Sequence, residues 1–158
     1  MKAHILAAAV LLTPLASAAQ TPVPVAVIVQ TSQFEDQAQK DRLDSAKDLK
    51  GQLSTKKKTL RLVETAADAA LVIEVLGRGE QAQDTKTVQR GVLSGRLEQR
   101  SDTAKVLRVK LSVGDYSTEI EGRDEEREFK SYTTWGMAAG DAAIQIDKWI
   151  KTNRAKLP

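Results

Sequence analysis

Apolar and polar residues alternate most regularly between Lys105 and Gly122, and this alternation predicts a β-hairpin. The dipeptide Gly114-Asp115 stands between the two halves and fits a two-residue turn, which fixes the register. The predicted pairs on one face are Val113 with Tyr116, Leu111 with Thr118 and Val109 with Ile120. On the other face, Lys110 lies opposite Glu119 and Arg108 opposite Glu121. A slip by one residue would disrupt both the apolar face and the charge pairs.

Two further segments have the three- and four-residue apolar spacing of amphipathic helices. The first follows Ser32–Glu35, which matches a capping box. Its apolar positions are Ala38, Leu43, Ala46, Leu49 and Leu53. The second is predicted from about Thr134 to Arg154, with apolar positions at Trp135, Ala139, Ala142, Ile146, Trp149 and Ile150. This spacing turns both tryptophans toward the core, and the four-residue step of Gly136, Gly140 and Ile144 predicts a close approach to the sheet.

Short apolar runs predict the remaining strands. They are Val25–Val29, Thr59–Glu64 and Ala69–Leu76, and Gly77–Gly79 is expected to end the last one. The first strand, the first helix and the second strand predict a right-handed parallel crossover. The whole order predicts an α+β fold: a two-layer sandwich in which a mixed sheet of about five strands carries two amphipathic helices on one face.

The polar stretch at about 79–104 is expected to be a long surface excursion. Within it, Val92-Leu93 and Leu97 are candidates for a short strand. Arg123–Lys130 is expected to be a solvated, charged linker, because its acids lack the spacing of a calcium loop. The predicted organisation is a signal peptide at 1–19, an extended lead-in at 20–24 and a single α+β domain at 25–158.

The first nineteen residues have the pattern of a secretory signal peptide. Lys2 precedes the short apolar run Ile5–Leu12, Pro14 breaks that run, and small residues at 16–19 fit cleavage after Ala18 or Ala19. The run is too short for a membrane anchor, and no later stretch is apolar enough for a stable membrane span. We therefore predict an exported protein of the periplasm or the extracellular space.

Composition limits the chemistry of the exported chain. The sequence has no cysteine, and its single histidine, His4, lies in the predicted signal peptide. Imidazole and thiolate chemistry are thus excluded, and the sequence names no catalytic residue, no cofactor-binding residue and no metal ligand. Ser54-x-x-Lys57 matches one element of penicillin-binding proteins, but the other elements are missing. Loss of Lys2 leaves 23 basic against 21 acidic residues, and this near balance argues against nucleic acid as a partner.

A family resemblance extends over most of the mature chain. Val25–Val29, the entry Ala67-Asp68-Ala69 and the terminal helix resemble small α+β domains of bacterial envelope proteins, namely the amino-terminal domain of the translocation protein TolB and the curli-secretion-channel type. Val75–Arg78 and Gly114–Glu119 resemble segments of small exported bacterial proteins of unassigned function. The resemblance implies an envelope interaction domain and carries over no catalytic residue.

The resulting hypothesis is an exported, non-catalytic binding or assembly module of the bacterial envelope. Its expected partner is another envelope or secreted protein, bound through an uncovered edge strand or through the 79–104 excursion. Two alternatives stay open at this point: a small periplasmic hydrolase that uses carboxylate or lysine chemistry, and a secreted inhibitor. The oligomeric state is not predicted.

Overall fold

A computed structural model describes residues 21–30, 36–82, 86–89, 97–100, 103–125 and 134–157. Its strands are β1 (Val23–Ile28), β2 (Leu60–Val63), β3 (Leu71–Ala82), β4 (Lys86–Gln89), β5 (Leu97–Arg100), β6 (Thr103–Val113) and β7 (Tyr116–Glu125). Its helices are α1 (Gln37–Leu53) and α2 (Trp135–Thr152), with 3₁₀ turns at Ala66–Asp68 and Arg154–Lys156. The main sheet has the order β2-β1-β3-β6-β7, and β4 pairs with β5 separately. This confirms the predicted α+β fold with five strands and two helices.

The β1, β2 and β3 half of the sheet is parallel. β1 pairs with β2 on one side, where Val23 lies opposite Leu60, and with β3 on the other, where Val25 lies opposite Leu71. All four of these side chains are buried. The parallel pairing of the first two strands confirms that the connection through α1 is a parallel crossover, and its right-handedness stays a prediction.

The β6–β7 hairpin has the predicted register at every predicted pair, from Val113 opposite Tyr116 to Arg108 opposite Glu121. Gly114 has a φ of +53°, which a glycine adopts without strain. Pairing continues past the predicted end to Glu125. The alternation of apolar residues therefore predicted the register, and the polar end of the strand carried too little signal to predict its length.

The expectation that Gly77–Gly79 ends β3 is wrong. The strand continues to Ala82, which pairs with Thr103 of β6, and its register with β6 shifts between Val75 and Gly77. Glycine within a strand often marks such a β-bulge. Antiparallel pairing uses only backbone groups, so this polar, exposed stretch can remain in the sheet. Leu97 begins β5, while Val92-Leu93 lies outside the described residues.

The core lies between the sheet and the two helices. It is formed by buried aliphatic residues, which include Val25, Leu49, Leu53, Leu60, Leu71, Ile73, Leu107, Val109, Leu111, Ile146 and Ile150. Trp149 is half-buried; it packs against this cluster and stacks on Tyr116 with ring centroids 6.2 Å apart. The prediction that Trp135 also faces the core is wrong, because its ring lies against the charged ends of Arg78 and Lys105 and not against this aliphatic cluster.

Side-chain oxygens begin both helices. The Asp36 carboxylate accepts a hydrogen bond from the Gln39 N–H at 2.8 Å and is the N-cap of α1. The Thr134 hydroxyl accepts from the Met137 N–H at 3.1 Å and is the N-cap of α2. The predicted capping box at Ser32–Glu35 and the predicted signal peptide both lie outside the described residues.

Candidate interaction surface

Helix α2 lies very close to the edge strand β7. A Cβ atom added to Gly122 would lie 2.2 Å from the Ala138 carbonyl oxygen and 2.6 Å from the Ala142 Cβ. Only a residue without a side chain fits this position. The predicted close approach through Gly136, Gly140 and Ile144 is therefore wrong: the glycine that permits it lies on the strand, and Ile144 is 58% exposed.

This proximity lets two side chains of α2 bind the outer edge of β7. The Asp141 carboxylate accepts from the Arg123 N–H at 2.9 Å, and the Gln145 amide donates to the Glu121 carbonyl oxygen at 2.7 Å. The same Gln145 amide also donates to Asp141 at 2.8 Å. Part of the edge strand is thus capped by the protein's own helix, which protects its backbone groups from other strands.

Within the described part of the chain, no element pairs with the remaining edge of β7. Backbone groups alternate in direction along a strand, so the groups of Ser117 and Glu119 point to the same outer side as those of Glu121 and Arg123. Among the described residues, no hydrogen bond reaches these outward groups of Ser117 and Glu119. Both residues are exposed. An edge strand is the binding surface that the sequence predicts, and β7 is one of the two edges of the described five-stranded sheet.

Charges of opposite sign alternate across the sheet face that the helices leave uncovered. Glu74 of β3 lies opposite Lys110 of β6, and Lys110 lies opposite Glu119 of β7. In the next such row, Arg108 lies opposite Glu121, whose carboxylate pairs with Arg123 at 2.8 Å. Each row therefore ends on β7 with an acidic residue.

A second polar cluster lies where β3 passes the helices. The bulge shifts the side-chain alternation, so Arg78 points to the helix side like its partner Leu107. Its guanidinium contacts the Asp41 carboxylate at 2.6 Å and lies 4.9 Å from the Trp135 ring centroid, and the Lys105 ammonium lies 5.3 Å from the same ring. A hydrogen bond from Gln37 and, to a smaller extent, one from Arg78 lower the pKa of Asp41 below its ordinary value. The cluster holds β3 against both helices.

A shallow groove of about 400 Å³ runs beside the first half of α2. Its lining includes the exposed Met137 and Ile144, with Gln52 from the end of α1. Asp124, predicted to lie in a solvated linker, is instead buried at the rim and accepts from the Thr134 N–H at 2.7 Å. That contact ties the end of β7 to the start of α2.

Ser54, the serine of the Ser-x-x-Lys pattern, makes a local hydrogen bond. The Ser54 hydroxyl donates to the Gly51 carbonyl oxygen at 2.7 Å, at the end of α1. In the described part of the chain, no three metal-ligating side chains cluster. Neither described helix has the length and apolar character needed to cross a membrane.

No protein-family model and no curated protein matches the chain. Solved structures with a similar fold include a minor lipoprotein from Acinetobacter baumannii, with 18% identity, a TM-score of 0.43, and coverage of 85% of this chain and 95% of that one. A homolog of a neuraminyllactose-binding hemagglutinin from Helicobacter pylori has 12% identity, a TM-score of 0.45, and coverage of 87% and 88%. A PelC dodecamer from Paraburkholderia phytofirmans has 11% identity, a TM-score of 0.39, and coverage of 80% and 87%. At TM-scores below 0.5, these likenesses carry no functional argument.

Proposed function

We propose that this chain is an exported, non-catalytic binding or assembly module of the bacterial envelope, which binds another envelope or secreted protein. The observation that carries the proposal is the edge of β7, which is capped by Asp141 and Gln145 over one half and open over the other. An open strand edge can accept a strand from a partner through backbone hydrogen bonds. The resemblance to TolB-type, curli-channel-type and small exported proteins remains a prediction that agrees with this role.

The pKa values of two carboxyl groups bear on the hydrolase alternative. The pKa of Asp41 is lowered by hydrogen bonds from Gln37 and Arg78. Burial opposes the charged form of Asp147, but the hydrogen bond and the charge of Lys151 lower its pKa nonetheless. A general acid at neutral pH needs a raised pKa. Both groups are shifted in the direction of paired structural carboxylates, so neither supports the hydrolase.

Site-specific photocrosslinking in living cells tests the binding role. A photoreactive amino acid replaces Ser117 on the open edge and, as the matched control, the exposed Lys47 on α1. We expect the probe at 117 to trap a defined envelope or secreted protein that the probe at 47 does not trap. Equal products at the two positions, or none, would contradict the proposed function.

Export is tested separately by mass spectrometry of the protein recovered from the periplasm and the medium. We expect a mature chain that begins at Ala19 or Gln20, because cleavage is predicted after Ala18 or Ala19. Recovery of an intact chain that begins at Met1 would contradict the export prediction and leave the crosslinking result unaffected.

A further inference from the structure

We propose that the open stretch of β7 binds an extended peptide segment that carries lysine or arginine at two alternate positions, and adds it to the sheet as a further strand. The inference rests on the proposed function, since it names the chemistry of the partner at the same edge. It follows from three features of the edge: its free backbone groups, its charge pattern and the capping by α2.

The backbone groups define the length of the bound segment. No other described residue binds the outward N–H and C=O groups of Ser117 and Glu119 or the outward N–H of Glu121, so these groups are available for pairing. The Glu121 carbonyl oxygen and the Arg123 N–H are already bound by α2. This pattern suits an added strand of about five residues. The side chains of Asp141 and Gln145 stop longer pairing, which disfavours edge-to-edge association of two copies along the whole of β7.

The charge pattern defines the chemistry of the segment. Glu74, Lys110 and Glu119 form a row of alternating sign across three strands, and a lysine or arginine on the added strand would continue it. The neighbouring row ends at Glu121, so a second basic residue fits two positions away on the same face. Glu119 is the stronger determinant of the two, because Glu121 already pairs with Arg123.

The other face of the segment would lie on the helix side. There it would neighbour Thr118 and Ile120, which are half-buried and lie on the same side as the core. Residues between the two basic positions should therefore be apolar or β-branched. The predicted ligand is a short segment in which basic and apolar residues alternate.

Fluorescence anisotropy tests the charge requirement with two labelled seven-residue peptides, one of alternating lysine and valine and one of alternating glutamate and valine. We expect the full mature chain to bind the lysine peptide and not the glutamate peptide. The double variant Glu119→Lys, Glu121→Lys should weaken lysine-peptide binding at least tenfold, or about 1.4 kcal/mol, and should gain affinity for the glutamate peptide. Equal binding by the wild type and the variant would overturn the inference.

A backbone variant tests the mode of binding. Ser117→Pro removes an outward N–H and leaves the hydrogen bonds to β6 intact, whereas Ser117→Ala keeps that N–H. We expect the proline variant to lose the lysine peptide and the alanine variant to retain it, with thermal unfolding showing that both are folded. A folded proline variant that binds normally would overturn the inference; if it does not fold, the charge reversal alone decides.

The outcomes distinguish this inference from the proposed function. A partner trapped at position 117 without charge-dependent peptide binding would overturn the inference and leave the function intact. Absence of both would contradict both. Sedimentation that shows a dimer, lost in Ser117→Pro, would show that the edge binds a second copy and would also overturn the peptide proposal.

Discussion

The two helices contact the same sheet in different ways. Helix α1 inserts large side chains, Leu49 and Leu53, which are both fully buried. Helix α2 meets β7 through small residues, with Ala138 and Ala142 against Gly122. The size of the contacting residues sets the distance between a helix and its neighbour. The close approach of α2 is what allows the side chains of Asp141 and Gln145 to reach the peptide groups of the edge strand.

The largest effect is expected where the packing depends on side-chain volume. Leu49→Ala should lower the free energy of unfolding by about 2–5 kcal/mol, because it removes buried methyl groups and leaves a cavity. Urea unfolding followed by circular dichroism measures the change. Leu43→Ala is the matched control, since Leu43 on the same helix is 52% exposed. Equal losses for the two variants would show that α1 does not bury the face described here.

A smaller loss is expected where the packing depends on the absence of a side chain. Gly122→Ala should lower the free energy of unfolding by about 1–3 kcal/mol, because the added methyl group overlaps Ala138 and Ala142 and the helix must move away. Urea unfolding measures the loss. Hydrogen exchange should also show faster exchange of the Arg123 amide, whose bond to Asp141 would lengthen.

Gly51→Ala is the control for that variant. Gly51 lies in α1, and a Cβ there would meet no atom within 4 Å. We expect this substitution to raise the free energy of unfolding by about 0.5–1 kcal/mol, the usual gain for alanine over glycine within a helix. If both glycine variants destabilise the protein equally, close packing at Gly122 is not the cause.

A still smaller loss in the free energy of unfolding is expected for substitutions in the cluster around Arg78. Arg78→Ala should lower the free energy of unfolding by about 1 kcal/mol, because it removes an ion pair with Asp41 and a cation–π contact with Trp135. Arg78→Lys keeps the charge and should recover part of the loss. A double-mutant cycle with Trp135→Leu measures the coupling, and a coupling energy of zero would show that the stacking contributes nothing.

The smallest effect concerns acid stability. The ammonium of Lys151 lies 2.6 Å from the Asp147 carboxylate, and the pKa of Asp147 in the folded protein is lower than its ordinary value of 3.8. Its contribution to stability is therefore present above pH 3.8 and is lost as the pH falls through the lower folded pKa. Asp147→Asn should flatten the decline in stability below about pH 4. An unchanged slope in urea unfolding between pH 5 and 2 would contradict this role.

Sequence reasoning predicted those parts of the fold in which burial imposes a regular pattern. The hairpin at Gly114 is one example, since a single turn aligned both faces of two strands. The position of Trp135 was not predicted, because helical spacing gives a direction around the axis and does not show where the apolar layer ends. The helix-side position of Arg78 was not predicted either, because the bulge before Gly77 reverses the alternation of side chains. The polar, exposed residues around it contain no apolar pattern from which this shift could be predicted.

The sequence predicted the type of the candidate surface but not its location in the fold. An open strand edge was expected, but which strand forms an edge depends on the order of the sheet, and that order is a property of tertiary packing. The capping by Asp141 and Gln145 was also missed, because it depends on contacts between residues 18 and 24 positions apart. A carboxylate and an amide four residues apart on a helix have many commoner uses.

The bulge in β3 affects which changes in chain length can be accepted during evolution. Val75 and Arg78 both point toward the helices although they are an odd number of positions apart, because one additional residue is accommodated between Val75 and Gly77. Deletion of that additional residue would restore simple alternation and leave Arg78 and all later β3 residues on the faces that they occupy now. One-residue deletions should therefore be tolerated at the bulge. One-residue insertions or deletions elsewhere in β3 turn the following side chains to the opposite face, so they should be selected against far more strongly than substitutions.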